Sequence, residues 1–119
     1  MAKRSVDLRL SDMVEACERV ESVLGDLSLD AFENDWQRHW LVQRGIEIIS
    51  EASRYLPAEL KERHPAIPWR KVAGIGNVLR HGYEEISAPV LWKLVREDLP
   101  ALRKACRAEL TSTQNGTDE

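Results

Sequence analysis

Along the first 24 residues, Leu10, Met13, Val14, Cys17, Val20 and Leu24 recur at spacings of three and four. That period lines one face of a helix, predicted over residues 5–24, and leaves Arg9, Glu15, Glu18, Arg19 and Glu21 for water. Gly25 stands where a left-handed cap ends such a helix. A second long helix is predicted over 35–56, with Leu41, Gly45, Ile48, Ile49, Ala52, Tyr55 and Leu56 as its stripe. Before it, Ser28 can cap a short turn, with Phe32 and Trp36 packing back. Pro57 suits the first turn of a short helix to about Arg63, and Pro68 opens a fourth segment reaching about His81. The fifth runs over 89–110 on Leu91, Leu94, Val95, Leu102, Ala105 and Cys106, with Pro100 kinking or restarting it and Asp98 as the new cap. No stretch reads as a strand. The pattern predicts an all-α, up-and-down bundle of four to five helices, a single domain over 1–110. Residues 111–119 carry no apolar side chain and are expected to form a disordered polar tail.

Composition narrows the function. The 119 residues are 43% hydrophobic and 31% charged, a globular balance. A chain of this length buries roughly 65% of its unfolded surface, enough for one core. The net charge of -3 excludes a broadly cationic nucleic-acid coat, so any phosphate contact needs a local patch. Cys17 and Cys106 both fall on apolar stripes and read as buried, reduced thiols. The start, Met1 to Asp7, lacks the apolar core of a signal peptide, and no window approaches the ~18 apolar residues of a membrane span. The expectation is a cytoplasmic protein with no membrane partner.

Familiar catalytic signatures are missing. There is no His-Glu-x-x-His, and positions 36, 61 and 78, three before each histidine, are Trp, Lys and Val. No metal is therefore expected. Gly74-Ile75-Gly76 begins like a dinucleotide fingerprint, but position 79 is Leu and no strand precedes it. No cofactor is expected either.

Residues 67–83 break the local rules. They carry Arg70, Lys71, Arg80 and His81 and no acidic residue, in an acidic chain. Gly74 and Gly76 sit inside a helical pattern, each costing about 1 kcal/mol relative to Ala. At about 100° per residue, Trp69, Val72, Ala73, Ile75, Gly76 and Leu79 gather on one side, while Arg70, Gly74, Asn77 and His81 form a separate stripe. A cation, a gap, an amide and an imidazole on one line can hold a phosphodiester: Asn77 or Arg70 takes an oxygen, His81 moves a proton, and Arg80 can swing over the same group. The plain reading is a solvated basic face with glycines for close packing. On the second long helix Arg44, Glu47, Glu51 and Arg54 form another polar line. It reads as helix-stabilising ion pairs, or as a line on which Arg44 or Glu51 supports a shared cleft. Trp36, Trp40, Trp69 and Trp92 read as core or dimer-interface anchors.

The run from Pro68 to Tyr83, with Val90-Leu91-Trp92, Asp98-Leu99-Pro100 and Ile48-Ile49-Ser50-Glu51-Ala52, resembles the HepT-like branch of the HEPN superfamily. The resemblance covers about Leu8 to Leu110. It implies a HEPN-like helical bundle that pairs as a homodimer, and a metal-independent endoribonuclease acting as the toxin of a toxin–antitoxin pair. The implied partners are an RNA substrate and a small MntA-type nucleotidyltransferase antitoxin, which can transfer AMP to the motif tyrosine, here Tyr83. The family histidine maps onto His81. The family arginine, followed by four residues and then the histidine, falls on Gly76, with the polar residue after it kept as Asn77. Arg80 is then the candidate replacement cation. The alternative is a catalytically weakened relative that binds RNA or its nucleotidyltransferase without cutting.

Overall fold

The computed structural model describes the backbone of residues 2–81 and 88–117, and the side chains of 5–79 and 88–112. Seven helices make up the described residues: α1 (Ala2–Leu24), α2 (Leu29–Glu33), α3 (Trp36–Ser53), α4 (Ala58–Glu62), α5 (Trp69–His81), α6 (Ala88–Glu97) and α7 (Leu99–Thr117). The all-α expectation holds. α2 and α4 are short connectors, so five helices carry the bundle.

α1 lies at the centre, packed on α3 and α7. Its stripe is the core: Leu10, Met13, Cys17 and Leu24 are wholly buried, with Val42, Leu91 and Leu102 around them. Gly25 ends α1 at a positive φ of 52°, a backbone that favours glycine. α1 and α3 run antiparallel: Arg9 stacks over the Tyr55 ring at 4.0 Å near one end. Nearer the other end, a Cβ added at Gly45 would collide with Val20, so glycine sets how closely the two helices approach. α7 returns along α1, tied by Arg103 Nε to Glu21 Oε2 at 2.8 Å and by Arg107 to Glu18. α6 is held to the turn before α2 by Trp92 Nε1 and Arg96 Nη2, which donate to the Leu27 carbonyl at 3.0 and 2.8 Å. Cys17 and Cys106 are free and buried; burial pushes the Cys106 thiol up to about 12 and the Cys17 thiol higher still.

Several expectations need correction. The predicted stripe of α3 is partly misplaced: Ile49, Ala52 and Leu56 are buried as expected, but Val42, Ile46, Ser50 and Ser53 complete the buried face while Leu41 and Tyr55 are exposed. Two buried serines complete that face, and a count of apolar side chains passes over them. Ser28 caps α2 as expected, its Oγ accepting from Ala31 N at 3.1 Å. Phe32 is wholly buried as expected, but Trp36 is 63% exposed and meets Trp40 edge-on at 5.2 Å. The break between α6 and α7 falls at Asp98, with Pro100 in the first turn of α7. The Asp98 carboxylate makes no cap and takes Lys71 Nζ at 2.9 Å instead. α7 continues as helix to Thr117, through most of the segment expected to be disordered.

A candidate RNA-binding stripe on α5

α5 begins after Pro68, whose carbonyl accepts from Val72 N at 3.0 Å. Its first turn is pinned by the Trp69 indole N–H, shared between the carbonyls of Lys61 at 3.1 Å and His64 at 3.0 Å. Val72, Gly76 and Leu79 are buried, and Trp69, Ala73 and Ile75 half-buried, on the side the spacing predicts. Arg70, Gly74 and Asn77 lie exposed on the other stripe.

The two glycines play different parts. A Cβ at Gly74 would meet nothing within 4 Å, so the surface is open there. Gly76 is buried against α3, and its N–H donates to Ser50 Oγ at 3.0 Å. The same hydroxyl donates to the Ala73 carbonyl at 2.8 Å. One serine thus satisfies a backbone acceptor and a backbone donor of the neighbouring helix, which fixes the register of α3 against α5. Arg54, the C-cap of α3, adds to it: Nε and Nη2 both reach the Ala73 oxygen at 3.3 Å.

The sequence-predicted residues fall in separate places. Arg70 and Asn77 share the exposed stripe, and Arg70 has no ion-pair partner among the described residues. Arg80 and His81 form the last turn of α5; their side chains lie outside the described residues, as does Tyr83. Arg44 pairs with Glu47 at 3.3 Å, and together with Glu51 it lines a depression shared with Arg9 and Asp12 of α1. The polar line of α3 therefore divides, Arg44 and Glu51 towards α1 and Arg54 onto α5. Sequence reasoning missed Ser50 and Arg54 as contacts to α5. The available signal was a small polar residue inside an apolar helix, one turn before an arginine.

A second cluster lies apart. Glu109 of α7 accepts from Arg63 at both oxygens, at 2.8 and 3.1 Å, and pairs with His64 Nε2 at 2.7 Å. The Arg63 guanidinium holds the Glu109 carboxyl below the usual carboxylate range, against the opposing effect of burial. This group ties the segment after α4 to α7. Among the described residues no group of three or more His, Cys, Asp or Glu is arranged to hold a metal, and no helix is long and apolar enough to cross a membrane.

The model of the HepT-like ribonuclease family matches residues 13–109. A Methanocaldococcus jannaschii protein, named by assignment as an RNase, is 38% identical over 104 residues, covering 87% of this chain and 95% of its own. A Thermococcus cleftensis protein, named by assignment as ribonuclease HepT, is 40% identical over 101 residues, covering 85% of this chain and 92% of its own. No solved structure gives a significant match. The α5 stripe lies inside the matched region, and the chain belongs to the HepT-like ribonuclease family.

Proposed function

We propose that this chain is the toxin of a HepT/MntA-type toxin–antitoxin pair and cleaves RNA internally without a metal ion. The observation that carries the reading is the α5 stripe of a family ribonuclease: Arg70, without an ion-pair partner among the described residues, exposed Asn77 and, four residues on, His81. In the reaction, the ribose 2′-oxygen attacks the adjacent phosphorus as its P–O5′ bond breaks. His81 takes the 2′-hydroxyl proton or supplies one to the departing 5′-oxygen, work suited to an imidazole, whose ordinary pKa is near neutrality. Arg80, with Asn77 in support, stabilises charge on the phosphoryl oxygens. Tyr83 is the residue modified by the nucleotidyltransferase: its phenolic oxygen attacks the α-phosphorus of ATP, pyrophosphate leaves, and the AMP phosphate added beside the motif repels RNA.

The active form in this reading is a two-fold dimer. Trp36, Trp40 and Leu41 leave an apolar patch on α3, 57–65% exposed residue by residue.

The test is RNA cleavage by the purified chain in excess EDTA. Cleavage is expected, and His81→Ala is expected to remove it by at least a factor of about 100 while the helical circular dichroism is retained. Equal rates for His81→Ala and the parent overturn the mechanism. A second reading, a weakened relative that binds without cutting, is favoured by Gly76 at the position of the family arginine. It predicts RNA binding by the parent without strand scission.

A further inference from the structure

We infer that Arg54 is a phosphate-binding residue of the RNA cleft, reaching it from α3 across the seam with α5. The inference rests on the ribonuclease reading and adds to it a residue outside the α5 motif.

Three observations carry it. The first is position. Arg54 Nε and Nη2 both rest on the Ala73 carbonyl at 3.3 Å. Ala73 lies three residues after Arg70 and four before Asn77, so these two exposed side chains flank the turn that Arg54 touches. Guanidinium, amide and guanidinium thus approach one patch from two helices. The second is uncompensated charge. Arg19, Arg38, Arg44, Arg63, Arg103 and Arg107 each pair with a carboxylate. Arg54 is exposed and has no such partner among the described residues. Its two contacts use two of five N–H donors and leave the full charge and three donors for an anion. The third is access. Gly74, next to Ala73, presents no side chain, and even a Cβ there would meet open space. A sugar–phosphate backbone can therefore lie close to the helix at this turn.

Gly76 faces α3, where its N–H meets Ser50, one turn before Arg54. Arg54 thus adds a cation at the seam where Gly76 carries no side chain.

The test separates this role from that of a helix fastener. Binding of a labelled, mixed-sequence, 2′-O-methylated RNA oligonucleotide, which lacks the attacking hydroxyl, is followed against salt for the parent, Arg54→Gln, Arg54→Lys and Lys104→Gln. Gln keeps an N–H for the Ala73 carbonyl and removes the charge; Lys keeps the charge; Lys104 is an exposed cation on α7. The expected result is a roughly tenfold or greater loss of affinity in Arg54→Gln, with the slope of log affinity against log salt reduced by about 0.7. Arg54→Lys recovers most of that slope, and Lys104→Gln changes it less than Arg54→Gln does. All four proteins are expected to melt within a few degrees of one another. A lower melting temperature for Arg54→Gln with unchanged affinity and slope, or equal losses in Arg54→Gln and Lys104→Gln, overturns the inference. If the parent cuts RNA and His81→Ala does not, the ribonuclease reading survives that outcome. If the parent neither binds the oligonucleotide nor cuts RNA, both fall.

Discussion

Ser50 is the residue on which the α3–α5 seam turns. Its hydroxyl occupies the Ala73 carbonyl and the Gly76 N–H together, so Ser50→Ala leaves two helix backbone groups without that partner. Loss of a buried hydrogen-bonding group of this kind costs about 1–3 kcal/mol, and urea denaturation of Ser50→Ala is expected to show a loss of unfolding free energy of that size. Gly76 answers to the same geometry. Restoring the family arginine with Gly76→Arg would force a long side chain into a buried position against α3. Overpacking of this sort costs about 1–3 kcal/mol or more, so the variant is expected to melt lower than the parent, and a thermal melt checks this before any activity is read from it. The departure from the family motif is legible in the sequence as one letter. The seam that buries this glycine, closed around a serine 26 residues earlier, is not, because nothing in the order of residues pairs the two positions.

Among the elements, α7 and the segment after α4 are joined by Glu109, Arg63 and His64. Hydrogen bonding from Arg63 holds the Glu109 carboxyl below its ordinary range. A carboxyl depressed in the folded state stabilises the fold above its unfolded pKa, and that stability drains away as pH falls through the folded value. Glu109→Gln is therefore expected to lower stability by about 1–3 kcal/mol at pH 7. The difference from the parent should shrink steadily below the ordinary carboxylate range, as measured by denaturation at a series of pH values. A constant gap from pH 7 to pH 3 would exclude this origin. The elements themselves were largely legible. Gly25, Ser28, Pro57, Pro68 and Pro100 mark helix ends or starts through backbone chemistry that acts within a few residues. The rotation of α3 was only partly legible, because it packs chiefly between α1 and α5, and its seam with α5 is joined through the hydroxyl of Ser50.

For the molecule as a whole, the proposed dimer places exposed Trp36 and Trp40 where a second copy covers them. Trp40→Ser combined with Trp36→Ser is expected to shift sedimentation from dimer to monomer without loss of helicity; an unchanged sedimentation coefficient would move the interface elsewhere. The same patch shows why exposure escapes a reading of the chain. Trp36 and Trp40 are large and aromatic like many core residues, and nothing in their spacing says that they stay exposed.

What the order of residues settles here is what short-range physics controls: an all-helical chain, the ends of its helices, the buried face of α1, and a basic stripe on α5 where Arg70, Asn77 and His81 follow one another at helical intervals. Contacts between distant segments settle the rest. Ser50 and Arg54 meet Ala73 across about twenty residues, and Arg44 and Glu51 turn towards α1, because burial and hydrogen bonding select one rotation of α3 out of several that its pattern permits. Helical periodicity fixes which side chains share a face; it takes packed neighbours to fix where that face points.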